Sequence, residues 1–157
     1  MGFLKAIAWA LMKRLIHRQF PNVPSLSTQR LAAWFAQAGM NRPLVLDART
    51  PKEYEVSHLL DANLAPSDLN ELSHWTNLTH STPIVTYCSV GYRSARLAQQ
   101  LQDMGYKNVF NLEGSIFEWV NEGHPVYQGT QAVKQVHPFN DVWGLLLNPD
   151  SHCSKSD

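Results

Sequence analysis

The stretch IVTYCSVGYRSARLAQQLQDMGY, residues 84–106, decides the fold. It opens on Ile84 to Tyr87, a short apolar and β-branched run suited to a buried parallel strand. A loop from Cys88 to Arg93 follows and leads into a helix expected to reach about Met104. Ala95, Leu97, Ala98, Leu101 and Met104 give that helix one apolar face, and Gly105 ends it. Strand, tight loop and helix in this order form half of a parallel crossover.

The same alternation extends both ways. Upstream, Leu44 to Asp47 reads as a second buried strand, and Thr50-Pro51-Lys52-Glu53 as a cap with proline at the first helical position. A further strand is expected near Ala62 to Leu64, and Ser67 is expected to cap a helix through about Leu72. Residues 73–83 read as a polar loop. Earlier still, Pro21 and Pro24 punctuate the chain, and Ser25 or Ser27 caps a helix expected over Thr28 to Ala38, stopped by Gly39. Downstream, Asn108 to Leu112 is a strand, and Glu113-Gly114-Ser115 leads into a helix carrying Phe117, Trp119 and Val120. Strands alternating with helices imply an α/β domain with a largely parallel sheet.

Composition narrows the function classes. At 157 residues, 44% apolar and 17% charged, the chain fits one globular domain with extensions and excludes a disordered chain or a bare coiled coil. Thirteen basic and thirteen acidic side chains cancel, so bulk charge gives no footprint for nucleic acid. Two cysteines, Cys88 and Cys153, are too few for a disulfide scaffold. No Gly-rich nucleotide fingerprint occurs, and no pair of histidines has metal-ligand spacing; His74, His80, His124 and His137 fall in loops or near helix ends. No cofactor and no metal are expected.

The neutral total hides an asymmetry. Residues 1–20 carry Lys5, Lys13, Arg14 and Arg18 and no acid, leaving nine basic against thirteen acidic side chains elsewhere. Helix formers dominate the segment, with Phe3, Leu4, Ile7, Leu11 and Leu15 on one side and Arg14 and Arg18 intruding there. Its uninterrupted apolar stretch, Ala6 to Met12, is followed at once by Lys13-Arg14, unlike a signal peptide with its small-residue cleavage site. A helix packed on its own domain, a loose arm, and a basic helix resting on an anionic membrane or a partner all remain open. No apolar run approaches the ~20 residues of a membrane span.

Cys88 is the candidate nucleophile. In parallel α/β folds ligands bind at the carboxyl ends of strands, where Cys88 stands. The loop amides and the N-terminus of the following helix favour an anion, and a cysteine there is favoured as thiolate. Gly91 eases the loop's backbone, and Arg93 and Arg96 add positive charge. A buried inert cysteine at a strand end is also common, and spacing alone leaves both readings standing. Four residues separate Cys88 from Arg93, one fewer than in cysteine phosphatases, so the loop is tighter than a phosphate cradle and suits one sulfur atom. That spacing speaks against a cysteine phosphatase or arsenate reductase.

Several stretches, in order, resemble a single-domain rhodanese from about Val23 to Gln128. VLDART (45–50) resembles the family's strand ending in Asp-x-Arg, at Asp47 and Arg49. PKEYEVSHLLDANLAP (51–66) resembles the segment with an acidic-aromatic pair before a histidine, here His58. Residues 84–126 resemble the active loop, its helix and the glycine-containing entry to the last helix. The departures are Leu60-Asp61 in place of a frequent Pro-Gly and Ser115 in place of a second glycine, both expected to alter turns rather than chemistry. Ser89 and Val90 stand where thiosulfate-preferring relatives often carry a basic residue, which argues against high thiosulfate activity.

The resemblance implies a rhodanese-like three-layer α/β fold: a basic N-terminal helix (1–22), the rhodanese domain (23–128) and a C-terminal extension with a polar tail (129–157). It implies a sulfurtransferase in which Cys88 takes a sulfane sulfur from thiosulfate or a persulfide and passes it from a Cys88 persulfide to a thiol or cyanide. Ser89, Val90, Gly91, Tyr92, Arg93 and Ser94 would hold the terminal sulfur, with Arg93 orienting the loop or attracting an anionic donor. Asp47, Arg49 and His58 would be structural neighbours. The alternative is a non-catalytic rhodanese-like module that recruits a protein. A protein sulfur carrier is one acceptor considered; nucleic acid is not expected; the expected compartment is the cytoplasm, with peripheral membrane contact through residues 1–20 as an addition. Cys153 reads as a bystander thiol in the polar end, and Phe139 to Leu147, FNDVWGLLL, as an apolar patch packing on the domain or the N-terminal helix.

Overall fold

Successive residues of a strand face opposite sides, and the central strands bury both. In β2 (Leu44–Asp47) and β4 (Ile84–Tyr87), Val45, Val85 and Tyr87 pack on one face and Leu46 and Ile84 on the other. With β1 (Ser25–Leu26), β3 (Asn63–Leu64) and β5 (Val109–Leu112) they form an all-parallel sheet ordered β1-β5-β4-β2-β3. The computed structural model describes residues 2–37, 39 and 41–153.

Two helical layers cover the sheet. Leu31 of α2 (Thr28–Ala36) and Ile116, Phe117 and Trp119 of α5 (Ser115–Asn121) share a core with Val45 and Val85. Ala95, Ala98 and Leu101 of α4 (Tyr92–Asp103) share the other with Leu46, Ile84 and Val109. The three-layer α/β fold follows from those two cores.

Local chemistry sets the boundaries. α3 (Pro51–Val56) starts on a capping box, the Thr50 hydroxyl accepting the Glu53 N–H and the Glu53 carboxylate accepting the Thr50 N–H. α4 begins at Tyr92 because Gly91, at φ 117°, takes the left-handed cap conformation. Ser27 caps α2, which ends at Ala36, where extended Gln37 breaks the helix before Gly39; the expected end at Ala38 lies outside the described residues. The expected cap at Ser67 moves to Asp68, whose carboxylate accepts the Asn70 N–H and opens a 3-10 helix, Leu69–His74.

The N-terminal helix, α1 (Phe3–Gln19), packs on the body, but through Trp9, Met12 and Ile16. Phe3, Leu4, Ile7 and Leu11 of the expected apolar side face outward, Leu4 being 81% and Leu11 63% exposed, while Leu15 at its end stays half exposed beside the loop that follows β4. α1 has two apolar stripes, and contacts outside it decide between them. Lys13 reaches Glu118 (2.8 Å), His17 reaches Glu113 (3.1 Å) and Gln19 donates to the Tyr92 hydroxyl (2.8 Å). All three lie beyond the carboxyl ends of β4 and β5, so α1 crosses the edge where a ligand would enter.

Beyond α5 the chain forms an antiparallel hairpin, β6 (Val126–Gln128) and β7 (Gln131–Val133). A short α6 (Asp141–Gly144) follows. Leu146 and Leu147 are buried, whereas Phe139, Val142 and Leu145 are exposed, so FNDVWGLLL packs by half. Residues 154–157 of the polar end lie outside the described residues. No helix among the described residues is long and apolar enough to cross a membrane.

Candidate active site

Cys88 follows β4 directly, and its side chain is 1% exposed. The Gly91 N–H donates to its sulfur at 3.1 Å, and the Ser94 hydroxyl lies 3.5 Å from it. The loop is pinned from three sides. The Cys88 N–H donates to Ser115 Oγ (3.1 Å), and the Cys88 and Ser89 carbonyls accept the Ile116 and Phe117 amides (both 3.1 Å). From β5, Asn111 donates to the Gly91 carbonyl (3.0 Å) and accepts the Ser94 hydroxyl (2.6 Å). Ser115 thus acts beyond the turn expected of it, and its φ of 50° places its hydroxyl under Cys88.

Arg93 faces Glu53 rather than open solvent. Its guanidinium makes two parallel bonds to the carboxylate, 3.0 and 2.8 Å, and a third to Ser89 Oγ (3.0 Å). Burial would push the Glu53 carboxyl up, but Arg93 and the Thr50 N–H and hydroxyl outweigh it and hold the group down at about 2. The guanidinium carbon sits 4.6 Å from the centre of the Phe139 ring.

Asp47 and Arg49 form a second pair beneath the loop. Arg49 Nε and Nη2 reach Asp47 at 3.0 and 2.7 Å, both side chains fully buried. The Tyr87 hydroxyl donates to Asp47 (2.6 Å), and Arg49 donates to the Ser57 carbonyl (2.7 Å), tying β2, β4 and the end of α3 together. Burial, then the charge of Asp47, pushes the Tyr87 hydroxyl well above its ordinary range. His58 stacks on Tyr54 with ring centres 4.4 Å apart and bonds the Leu59 carbonyl (2.9 Å). It does not line the space over Cys88.

That space is a cavity of about 270 Å³. Cys88, Ser89, Val90, Tyr92 and Arg93 line it from the loop and the start of α4. Met12 and Leu15 of α1 and Phe139 and Trp143 of the C-terminal extension form the rest. Gly91 and Ser94 contact the sulfur but are not among the residues lining the cavity. Asn111 is not singled out by sequence; Glu53 enters there only in the helix cap and the acidic-aromatic segment, and Ser115 only as a turn substitution, so neither reading points to the loop. Cys153 lies apart, its N–H on the Val136 carbonyl. Among the described residues no group of three or more His, Cys, Asp and Glu is placed to hold a metal ion.

The family model described as Rhodanese-like domain matches residues 27–122. A sulfurtransferase of Allochromatium vinosum is 32% identical over 83 residues, 53% of this chain and 77% of the relative. A tRNA uridine(34) hydroxylase of Aster yellows witches'-broom phytoplasma is 32% identical over 114 residues, 69% of this chain but 36% of the relative. The chain therefore spans little more than a third of that hydroxylase. The crystal structure of a rhodanese-related protein of Thermoplasma volcanium superposes with a TM-score of 0.53 at 27% identity, covering 67% of this chain and 98% of that one.

Proposed function

The chain belongs to the rhodanese-like family, and from that premise we propose that it is a sulfurtransferase carrying a sulfane sulfur on Cys88. The Cys88 thiolate attacks the outer sulfur of a donor. A bond forms to that sulfur as the donor's S–S bond breaks, and the electron pair leaves with the sulfite or thiolate. An acceptor thiolate or cyanide then attacks the carried sulfur, and the electron pair of the broken bond returns to Cys88. The observation that carries this reading is Cys88 among the residues lining a cavity, with the Gly91 N–H donating to its sulfur from 3.1 Å. A hydrogen-bond donor fixed there stabilises a sulfur anion before and after transfer. What the tRNA hydroxylases do as whole proteins is not assigned to this chain.

Intact-mass measurement tests it. Incubation with thiosulfate or an alkyl persulfide should add about 32 Da, one sulfur atom, removed again by cyanide. Cys88→Ser should abolish the gain, and Cys153→Ser should keep it. No gain with either donor, or a gain that survives Cys88→Ser, overturns the assignment.

The outward face of α1 supports a second reading, peripheral attachment to an anionic bilayer. Leu4, Ile7 and Leu11 are exposed along it, and exposed Arg14 and Arg18 lie near them in sequence. Apolar side chains flanked by arginines suit the boundary between acyl chains and anionic headgroups. Co-sedimentation with phosphatidylserine vesicles should exceed that with neutral vesicles, weaken in high salt, and fall at least roughly fivefold in Leu4→Ser/Leu11→Ser. Equal sedimentation of variant and parent refutes it.

A further inference from the structure

The walls over Cys88 point to the chemistry of the acceptor, given the sulfurtransferase reading above. Met12, Leu15, Val90, Phe139 and Trp143 present carbon to the cavity. Among the described residues Arg93 is the one charged side chain lining it, and that charge is already committed. Glu53 neutralises it through two bonds, and Phe139 covers one face of the guanidinium. A dianion such as thiosulfate therefore meets no unneutralised cation here. Leu15 and Phe139 remain 53% and 43% exposed at the mouth, apolar surface that a bound apolar group would cover. Met12, Leu15, Phe139 and Trp143 all fall outside residues 27–122, so these walls come from the chain's extensions rather than from the family domain.

We propose that the cavity selects a thiol carried on an apolar body, an alkyl or aryl thiol, as sulfur acceptor. The hydrocarbon lies against Leu15, Phe139 and Trp143 while its thiolate attacks the outer sulfur of the Cys88 persulfide. A new S–S bond forms at the acceptor, the bond to Cys88 breaks, and its electron pair returns to the Cys88 sulfur. The acceptor leaves as a persulfide. Charge and electrons balance with no external oxidant or reductant.

The test uses the full chain loaded with sulfur on Cys88 and follows its loss to ethanethiol, butanethiol and hexanethiol, thiols of matched acidity. kcat/KM should rise roughly two- to fourfold per added methylene, as expected when hydrocarbon leaves water for an apolar wall. Leu15→Gln and Trp143→Ala should each flatten that slope; Leu15 is half exposed, so its variant tests the wall even if the tryptophan variant fails to fold. A flat chain-length profile on protein that still loads sulfur and yields it to cyanide overturns the acceptor assignment and leaves the sulfurtransferase standing. A slope unchanged in both variants moves recognition away from this cavity and overturns it too. Failure to load sulfur from any donor removes both readings together.

Discussion

Two carboxylate–arginine pairs stand near Cys88, alike in chemistry and unlike in setting. Asp47–Arg49 is fully buried, shared with the Tyr87 hydroxyl and the Ser57 carbonyl. Glu53–Arg93 joins a carboxylate 2% exposed to a guanidinium 30% exposed at the cavity wall. The inner pair has given up its hydration and ties three elements together, with Arg49 Nη1 left without a hydrogen-bond partner. The outer pair keeps one partner near water and touches the loop through Ser89. Two-bond pairing thus serves as a strut in one place, side-on through Arg49 Nε and Nη2, and as a neutralised wall in the other, end-on through Arg93 Nη1 and Nη2.

Breaking the strut has the largest expected effect. Asp47→Asn strands Arg49 as a buried cation whose Nη1 already has no hydrogen-bond partner. Such a loss costs about 3–5 kcal/mol, which for a chain of this size lowers Tm by roughly 6 °C or more. Thermal unfolding followed by circular dichroism measures it. A Tm within a degree or two of the parent would mean that the pair is not the strut described.

Glu53→Gln should cost less, about 1–2 kcal/mol, because solvent near Arg93 screens the outer pair. Its signature is in pH. The Glu53 carboxyl is held at about 2 against an ordinary 4.5. The pair's contribution is therefore present above about 4.5 and is lost as pH falls from there toward 2. The parent should lose stability more steeply than Glu53→Gln between pH 5 and 2, read from Tm at each pH. The variant also releases the Arg93 charge into the cavity. The ratio of kcat/KM for thiosulfate over an alkyl persulfide donor should then rise, by roughly threefold or more. Parallel pH curves would show that Glu53 is not held down as described.

The inner pair entered the sequence reading only through the resemblance of VLDART to a strand ending in Asp-x-Arg, and the loop was legible because Cys88 to Arg93 is contiguous. The strands and helix starts followed from apolar runs and from local caps such as Thr50-Pro51. Glu53–Arg93 was not legible: its members stand forty positions apart, and each has a sufficient local reading, Glu53 as a helix-cap acid and Arg93 as the loop's cation. Nor were the walls. Periodicity places Leu15 on one apolar side of α1 and does not mark Met12, and which stripe meets the body depends on Glu113, Glu118 and Tyr92, far along the chain. Ser115 shows the same limit, since a residue read as a turn substitution holds the Cys88 amide.

The smallest expected effect separates the pairs by their aromatic neighbours. Each guanidinium lies over a ring, Arg49 over Tyr87 at 5.5 Å and Arg93 over Phe139 at 4.6 Å. Tyr87 is buried in the core and also bonds Asp47, so its ring cannot be removed without disturbing packing and a hydrogen bond together. Phe139 is 43% exposed and reaches Arg93 from the C-terminal extension. Phe139→Leu keeps the wall apolar and removes only the ring over the charge. It should cost at most about 1 kcal/mol, the range for a cation on a partly exposed ring. Chemical denaturation, with m unchanged, resolves a shift of that size in the midpoint. A loss several times larger would make Phe139 part of the folding core rather than the cover of an already neutralised cation, and the outer pair would then be a strut as well.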